Sequence, residues 1–270
     1  MMEMIINMIG AIIGDVVGSR FEFNNIKTKN FDLITHDSEF TDDTVLTIAV
    51  MDILTNSKDA DSKTIAKTLQ KWARKYPYAG YGGRFHSWIY QENPKPYNSC
   101  GNGSAMRISA VGWFARNEEE VIGMSKAITE VTHNHPEGIK GAEVTAMCIF
   151  KALHGANKEE LKEYIVGKYP EVAELDYEEL RRTYVHGPEI CQVTVPQALY
   201  CFLISNDFED CLRTTISIGG DCDTTAAISC AIAEAFYKDI DAKLIDKVRN
   251  KLTKEMLEVI DLASRKVDEK

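Results

Sequence analysis

Two short acidic clusters stand almost the full chain apart: Thr41-Asp42-Asp43-Thr44 and, after Gly219-Gly220, Asp221-Cys222-Asp223-Thr224. Each directly precedes an apolar run, Val45, Leu46, Ile48 and Ala49 in the first case, Ala226, Ala227 and Ile228 in the second. The pattern puts paired carboxylates and flanking hydroxyls at the start of two helices. Carboxylate and hydroxyl oxygens are the ligands that hard divalent cations take. If the fold brings the clusters together, four carboxylates converge, and such a group does not stay ionised without cations between them. A two-metal site resolves the conflict. A structural reading competes: Asp and Thr are ordinary helix caps, and acids in a first turn suit the helix dipole. A cap needs one side chain, however, and each cluster supplies two acids and a threonine. The Gly219-Gly220 pair also lets backbone pass close to a neighbour.

Three further groups carry chemistry. Glu22 lies in Gly18-Ser19-Arg20-Phe21-Glu22-Phe23. An acid between two aromatics is open to partial desolvation, which raises its pKa and suits proton transfer; taken alone, it reads equally as a surface loop glutamate. Gly101-Asn102-Gly103-Ser104-Ala105-Met106-Arg107 reads as a loop running into a helix. It suits either an anion nest of backbone N–H groups or a turn capped by Ser104. It is neither a dinucleotide fingerprint nor a Walker A loop. Thr132-His133-Asn134-His135-Pro136 precedes another helix. With no Cys or His partners at useful spacing, the histidines fit a phosphate or a base better than a transition metal, and helix-end capping stays open for one of them. Tyr76, Tyr78, Tyr81, Phe85 and Trp88 could stack on a base, but for most of them anchoring to the core is the simpler role.

Nearly continuous helical periodicity must position these groups. A first helix is expected from about Glu3 to Gly18, with Gly10, Gly14 and Gly18 forming a bare stripe for close packing against a central helix. Later helices are expected at about 43–56, 61–76, 103–116, 118–132, 137–154, 158–167, 192–204, 207–217, 223–237 and 241–267, the last a solvated outer helix. Strand signals are weak. The Tyr76–Gly103 segment, rich in Gly and Pro, reads as a long irregular loop, and Arg20–Phe40 as a flexible flap over a site. No linker or repeat marks a boundary, so one all-α domain over 1–270 is expected.

Composition bounds the function. The chain has 270 residues, 44% hydrophobic and 27% charged, with a net charge of -10. That length buries a large core without disulfides. The acidic balance argues against a general nucleic-acid or anionic-membrane binder. The seven cysteines include no CxxC pair and mostly sit among apolar residues, as buried, reduced thiols do. The N-terminal stretch lacks a basic region and a cleavage site, and the apolar run from Met4 to Val17 is short for a bilayer. A cytoplasmic monomer is the expectation.

In this order the motifs resemble those of the ADP-ribosylglycohydrolase family, which includes the dinitrogenase-reductase-activating glycohydrolases and the ADP-ribosyl-acceptor hydrolases. The carriers are Gly10-Ala11-Ile12-Ile13-Gly14-Asp15-Val16-Val17-Gly18 with Glu22, Phe40-Thr41-Asp42-Asp43-Thr44, the Gly101–Arg107 loop, Thr132-His133-Asn134-His135-Pro136, and Gly219-Gly220-Asp221-Cys222-Asp223-Thr224. The resemblance implies a compact all-α fold around two Mg2+ or Mn2+ ions. It makes Thr41, Asp42, Asp43, Asp221, Asp223 and Thr224 the metal ligands and Glu22, Asp42, Asp43 and Asp221 the catalytic acids. Asn102, Gly103, Ser104, Met106, His133 and His135 would hold ADP-ribose. Cys222 departs from the threonine of many relatives, between ligands, and no loss of metal follows. The implied activity is hydrolysis of the bond between ADP-ribose and a protein side chain or another acceptor. Three alternatives stay open: a non-catalytic ADP-ribose- or metal-binding regulator, a two-metal phosphoester hydrolase, and a purely structural helical protein.

Overall fold

A computed structural model describes residues 7–57, 60–185 and 187–269. Among them the chain is helical without a strand, save one isolated bridge between Gly101 and Ile190. The first half holds α1 (Gly10–Gly18), α2 (Asp42–Asn56), α3 (Ser62–Lys75), α4 (Gly83–Ile89), α5 (Gly103–Met106), α6 (Ser109–Phe114) and α7 (Glu118–Thr129). The second holds α8 (Pro136–Leu153), α9 (Lys158–Lys168), α10 (Tyr177–Thr183), α11 (Cys191–Ile204), α12 (Phe208–Ile218), α13 (Cys222–Tyr237), α14 (Ala242–Arg249) and α15 (Lys254–Asp268).

Helix α1 is buried on every side and lies against α13. The glycine stripe makes this possible. A Cβ on Gly14 would sit 2.3 Å from the Ala226 carbonyl oxygen, and one on Gly18 would sit 2.5 Å from the Asp223 Cα. The contact therefore brings the exit of α1, and Glu22 beyond it, beside the start of α13. Gly14→Ala forces backbone against backbone, which no side-chain rotation relieves. It is expected to cost about 3 kcal/mol, the upper end for overpacking, in urea denaturation. Gly123→Ala on α7, where nothing lies within 4 Å, is the control and should be neutral or stabilising. Equal effects at the two positions would deny the stripe its role.

The helix starts later than its periodicity suggests. Residues 3–6 of the expected helix lie outside the described ones. Met8 takes φ 65°, and the Glu234 carboxylate on α13 accepts the N–H groups of Ile9 and Gly10 at 3.0 and 2.8 Å. That carboxylate caps α1 at Gly10, a long-range cap invisible to local pattern. Two expected helices are each broken in two. The 103–116 stretch breaks after Met106, where Arg107 turns inward to reach Thr132. The 241–267 stretch breaks near Asn250, and Thr253 caps a new helix, α15, whose Met256, Ile260 and Ala263 are buried rather than outward. Within the supposed loop from Tyr76 to Gly103, the Gly82-Gly83 pair hides α4, whose Phe85, Trp88 and Ile89 anchor it in the core. The other helical expectations hold to within a few residues, though α10 had no counterpart among them. All seven cysteines are free and six are buried, as expected. No described helix is long and apolar enough to cross a membrane.

The expected flap, Arg20–Phe40, reaches the cavity through Glu22 and Phe23. The segment is irregular but tied along its length. Lys27 donates to the carbonyls of Tyr184 and Ile218. Arg213 donates to those of Lys29 and Phe31, both at 2.8 Å, and Lys251 to that of Thr35 at 3.0 Å. Asn25 exchanges two hydrogen bonds with the Gly220 backbone, at 2.7 and 2.9 Å. These bonds pair the segment with residues 157 to 216 positions away, which local sequence cannot reveal.

Candidate active site

The two acidic clusters meet. The Thr224 hydroxyl donates to Asp43 Oδ2 at 3.1 Å, joining the start of α13 to the start of α2. Glu22, Asp221 and Asp223 each bring an oxygen within 4.8 Å of one another. All five acids, with Thr41 and Thr224, line one cavity of about 310 Å³. Backbone geometry explains the approach. Gly219 and Gly220 take φ 80° and 73°, and a Cβ on Gly220 would lie 2.2 Å from the Tyr184 ring.

Capping does not account for the acids. At α2 the cap is Thr41, whose hydroxyl accepts from the Asp43 N–H at 3.2 Å. At α13 Asp221 occupies the cap position but its side chain caps nothing. Asp221 instead accepts from Asn102 Nδ2 at 2.5 Å, and Asn102 also donates to Thr194 at 2.9 Å. The glycine-rich loop is thereby fixed to the second cluster.

Asp15 is the residue that sequence reading passed over. It is fully buried in α1, and its carboxylate accepts from the Thr41 N–H at 2.9 Å, the Thr41 hydroxyl at 2.8 Å, the Thr44 N–H at 3.0 Å and the Thr44 hydroxyl. It holds the first cluster in place and draws the Thr41 hydroxyl proton away from the cavity, leaving that oxygen one lone pair beyond the one that accepts from the Asp43 N–H. The signal was present: an acid within an all-apolar helix must find partners.

Of the expected substrate contacts, Asn102, Gly103, Met106 and His133 line the cavity. Ser104 and His135 do not. Ser104 is buried, and its hydroxyl is within donor distance of the Gly138 carbonyl at 2.8 Å and of the Gly101 carbonyl, across the turn, at 3.2 Å. His135 caps α8, accepting from the Glu137 N–H at 3.2 Å. Of the aromatics on the Tyr76–Gly103 segment, Phe85 and Tyr97 reach the cavity, while Trp88 is core. Arg107 is a second residue without an earlier role. It is fully buried, donates to Thr132 at 2.8 Å, and keeps Nε and Nη1 without a partner. Burial lowers it to about 10, so it stays charged at neutral pH. The Thr132 hydroxyl, accepting from Arg107, lies 2.7 Å from His133 Nδ1. The other ring nitrogen, Nε2, faces Gly101 and Gly103. Burial, then Arg107 and Arg84, hold His133 well below its usual range, so it is neutral.

The donor set suits divalent cations. Asp43 Oδ1 and Asp223 Oδ1 are buried with no hydrogen-bond partner, a costly state for a carboxylate unless something else meets it. Burial first, and then neighbouring carboxylates, raise Asp42, Asp43 and Asp223 well above the ordinary range. Burial, followed by the charges of Asp221, Glu189 and Asp15, brings Glu22 to about 7. Far from the cluster, burial also raises Glu234 to about 7. An acid whose pKa is higher folded than unfolded contributes stability that is full below its unfolded value and is lost as pH rises through the folded one. The metal-free protein should therefore lose thermal stability as pH rises from about 4.5 to above 7, and Mg2+ or Mn2+ should restore it at the upper end. A melting temperature in chelator that climbs steadily over this range, indifferent to either ion, would rule the cluster out as a cation site.

A family model described as ADP-ribosylglycohydrolase matches residues 7–270. The chain belongs to the ADP-ribosylglycohydrolase family. Within this family it is 26% identical to mouse ADP-ribosylhydrolase ARH3, over 84% of this chain and 82% of that protein. It is 26% identical to an ADP-ribosylarginine hydrolase of Pseudomonas putida, over 85% and 69%. It is 23% identical to the ADP-ribosyl-[dinitrogen reductase] glycohydrolase of Rhodospirillum rubrum, over 94% and 92%. A solved structure titled an ADP-ribosylglycohydrolase-related protein complex shares the fold, with a TM-score of 0.70, 22% identity and 95% coverage of both chains. The all-α family architecture expected from the motifs is thus the one observed.

Proposed function

We propose that this protein hydrolyses the glycosidic bond joining ADP-ribose to an acceptor, with Thr41, Asp42, Asp43, Asp221, Asp223 and Thr224 holding two divalent cations, Mg2+ or Mn2+. The observation that carries the reading is the convergence of four aspartates and Glu22 on one cavity, with Asp43 Oδ1 and Asp223 Oδ1 unpartnered. When bound, the ions supply charge neutralisation, orientation of ribose hydroxyls and a lower pKa for water.

The chain's own residues do the rest. Cleavage at the anomeric carbon passes through an oxocarbenium-like state, which a nest of carboxylates favours. Glu22, near 7 by burial and its acidic neighbours, holds or gives up a proton at neutral pH, as a proton-transfer group must. Arg107 and the neutral His133 place a positive charge and an uncharged imidazole at the Tyr97 and Arg84 end of the cavity, suited to the diphosphate. The Asn102–Gly103 backbone lies between that end and the acids. Asp15 positions the first cluster through Thr41 and Thr44.

The test is release of ADP-ribose from ADP-ribosylated arginine, serine and nucleic-acid ends, with and without each ion. Metal-dependent release from at least one supports the reading. Release of inorganic phosphate instead would make the protein a two-metal phosphoester hydrolase, and ADP-ribose binding without turnover would make it a regulator.

A further inference from the structure

The three most exposed large apolar side chains among the described residues are Tyr78, Phe23 and Val185, at 98%, 81% and 63% exposure. They come from three distant parts of the sequence, yet each belongs to a segment that walls the same cavity. Phe23 lines it next to Glu22. Tyr78 precedes Ala79 and Gly80, which line it. Val185 follows Tyr184, the ring packed on Gly220, and stands four residues before Glu189, which lines the cavity too. Scattered exposed apolar residues need no explanation, but three on segments that converge on one cavity point to a contact surface beside it.

The charge around them selects the partner. Exposed aromatics serve both nucleic-acid bases and apolar protein side chains. A strand of phosphates, however, needs cations to meet it. This chain carries a net charge of -10, and the acids lining the cavity, Glu22, Asp42, Asp43, Glu189, Asp221 and Asp223, outnumber its lining arginines, Arg84 and Arg107. We propose that Phe23, Tyr78 and Val185 form a docking rim for the polypeptide around the modified residue. The inference rests on the glycohydrolase reading, in that the ADP-ribose group occupies the cavity while the polypeptide lies outside it. Tyr78 and Val185 are not among the lining residues. They are placed to touch a protein substrate and not free ADP-ribose or an ADP-ribosylated amino acid.

The experiment compares the metal-loaded full chain with the double variant Tyr78→Ser, Val185→Ser. Its probes are a folded protein ADP-ribosylated on arginine, another ADP-ribosylated on serine, an ADP-ribosylated oligonucleotide, ADP-ribosyl-arginine and free ADP-ribose. Both turnover and equilibrium binding are measured. The expected result is a roughly tenfold rise in KM and Kd for at least one modified protein, with the small molecules unchanged. No change for either protein, an equal loss for proteins and small molecules, or a selective loss for the oligonucleotide overturns the docking rim. If no probe releases ADP-ribose, the glycohydrolase reading fails, and the binding arm still decides whether the rim contacts protein.

Discussion

Replacing Asp43 or Asp221 with alanine is expected to abolish ADP-ribose release, a loss of at least about a thousandfold in kcat, on the several-kcal/mol scale that a bound cation supplies. The fold should survive. Thr41, not Asp43, caps α2, and Asp221 caps nothing. The one direct link that Asp43 makes across the clusters is from Thr224 at 3.1 Å. Losing Asp221 leaves Asn102 its bond to Thr194 at 2.9 Å. Each acid instead stores repulsion from its neighbours, so its removal should hold or raise the melting temperature of the metal-free protein. The same change should erase the stabilisation that Mg2+ or Mn2+ gives, since a ligand stabilises only the state that binds it. Circular dichroism, thermal melts with and without each ion, and product release together make the test. Near-normal turnover in both variants, with an intact metal-induced shift, would reduce the two acids to structural roles.

Glu22→Gln is expected to lower kcat by about a hundred- to ten-thousandfold, the usual range for a group that moves a proton, while ADP-ribose binds within a few-fold of its original affinity. The amide keeps the size and polarity of the side chain and cannot exchange a proton in the same way. Its neighbours should stay where they are, because Asn25, Lys27 and Lys29 fix the following segment to Gly220, Tyr184 and Asp210. The pH profile separates this role from a positioning one. The wild-type rate should carry an ionisation that the variant lacks, near neutrality if the bound cations leave Glu22 close to its value of about 7 and lower if they depress it. A variant with the wild-type profile and turnover would remove Glu22 from the chemistry.

Much of this site was legible in the sequence because its parts are local. Asp42 and Asp43 sit within one turn of a helix start, as do Asp221 and Asp223, and residue type and spacing alone announce oxygen ligands in pairs. The glycine stripe of α1 likewise announced close packing, and periodicity announced an all-helical chain. Tertiary structure decided what depends on partners far away in sequence. Glu234 sets where α1 begins, Asp15 finds its four donors on Thr41 and Thr44, and Lys27 and Arg213 tie down a segment that reads as loose. Tertiary structure also sorted the substrate candidates, sending His135 to a helix cap and Ser104 to the core while turning His133 and Arg107 toward the cavity. The physical reason is common to all of them. A buried polar group must be paired somewhere, and sequence reports the need for a partner without saying which distant backbone or side chain will meet it.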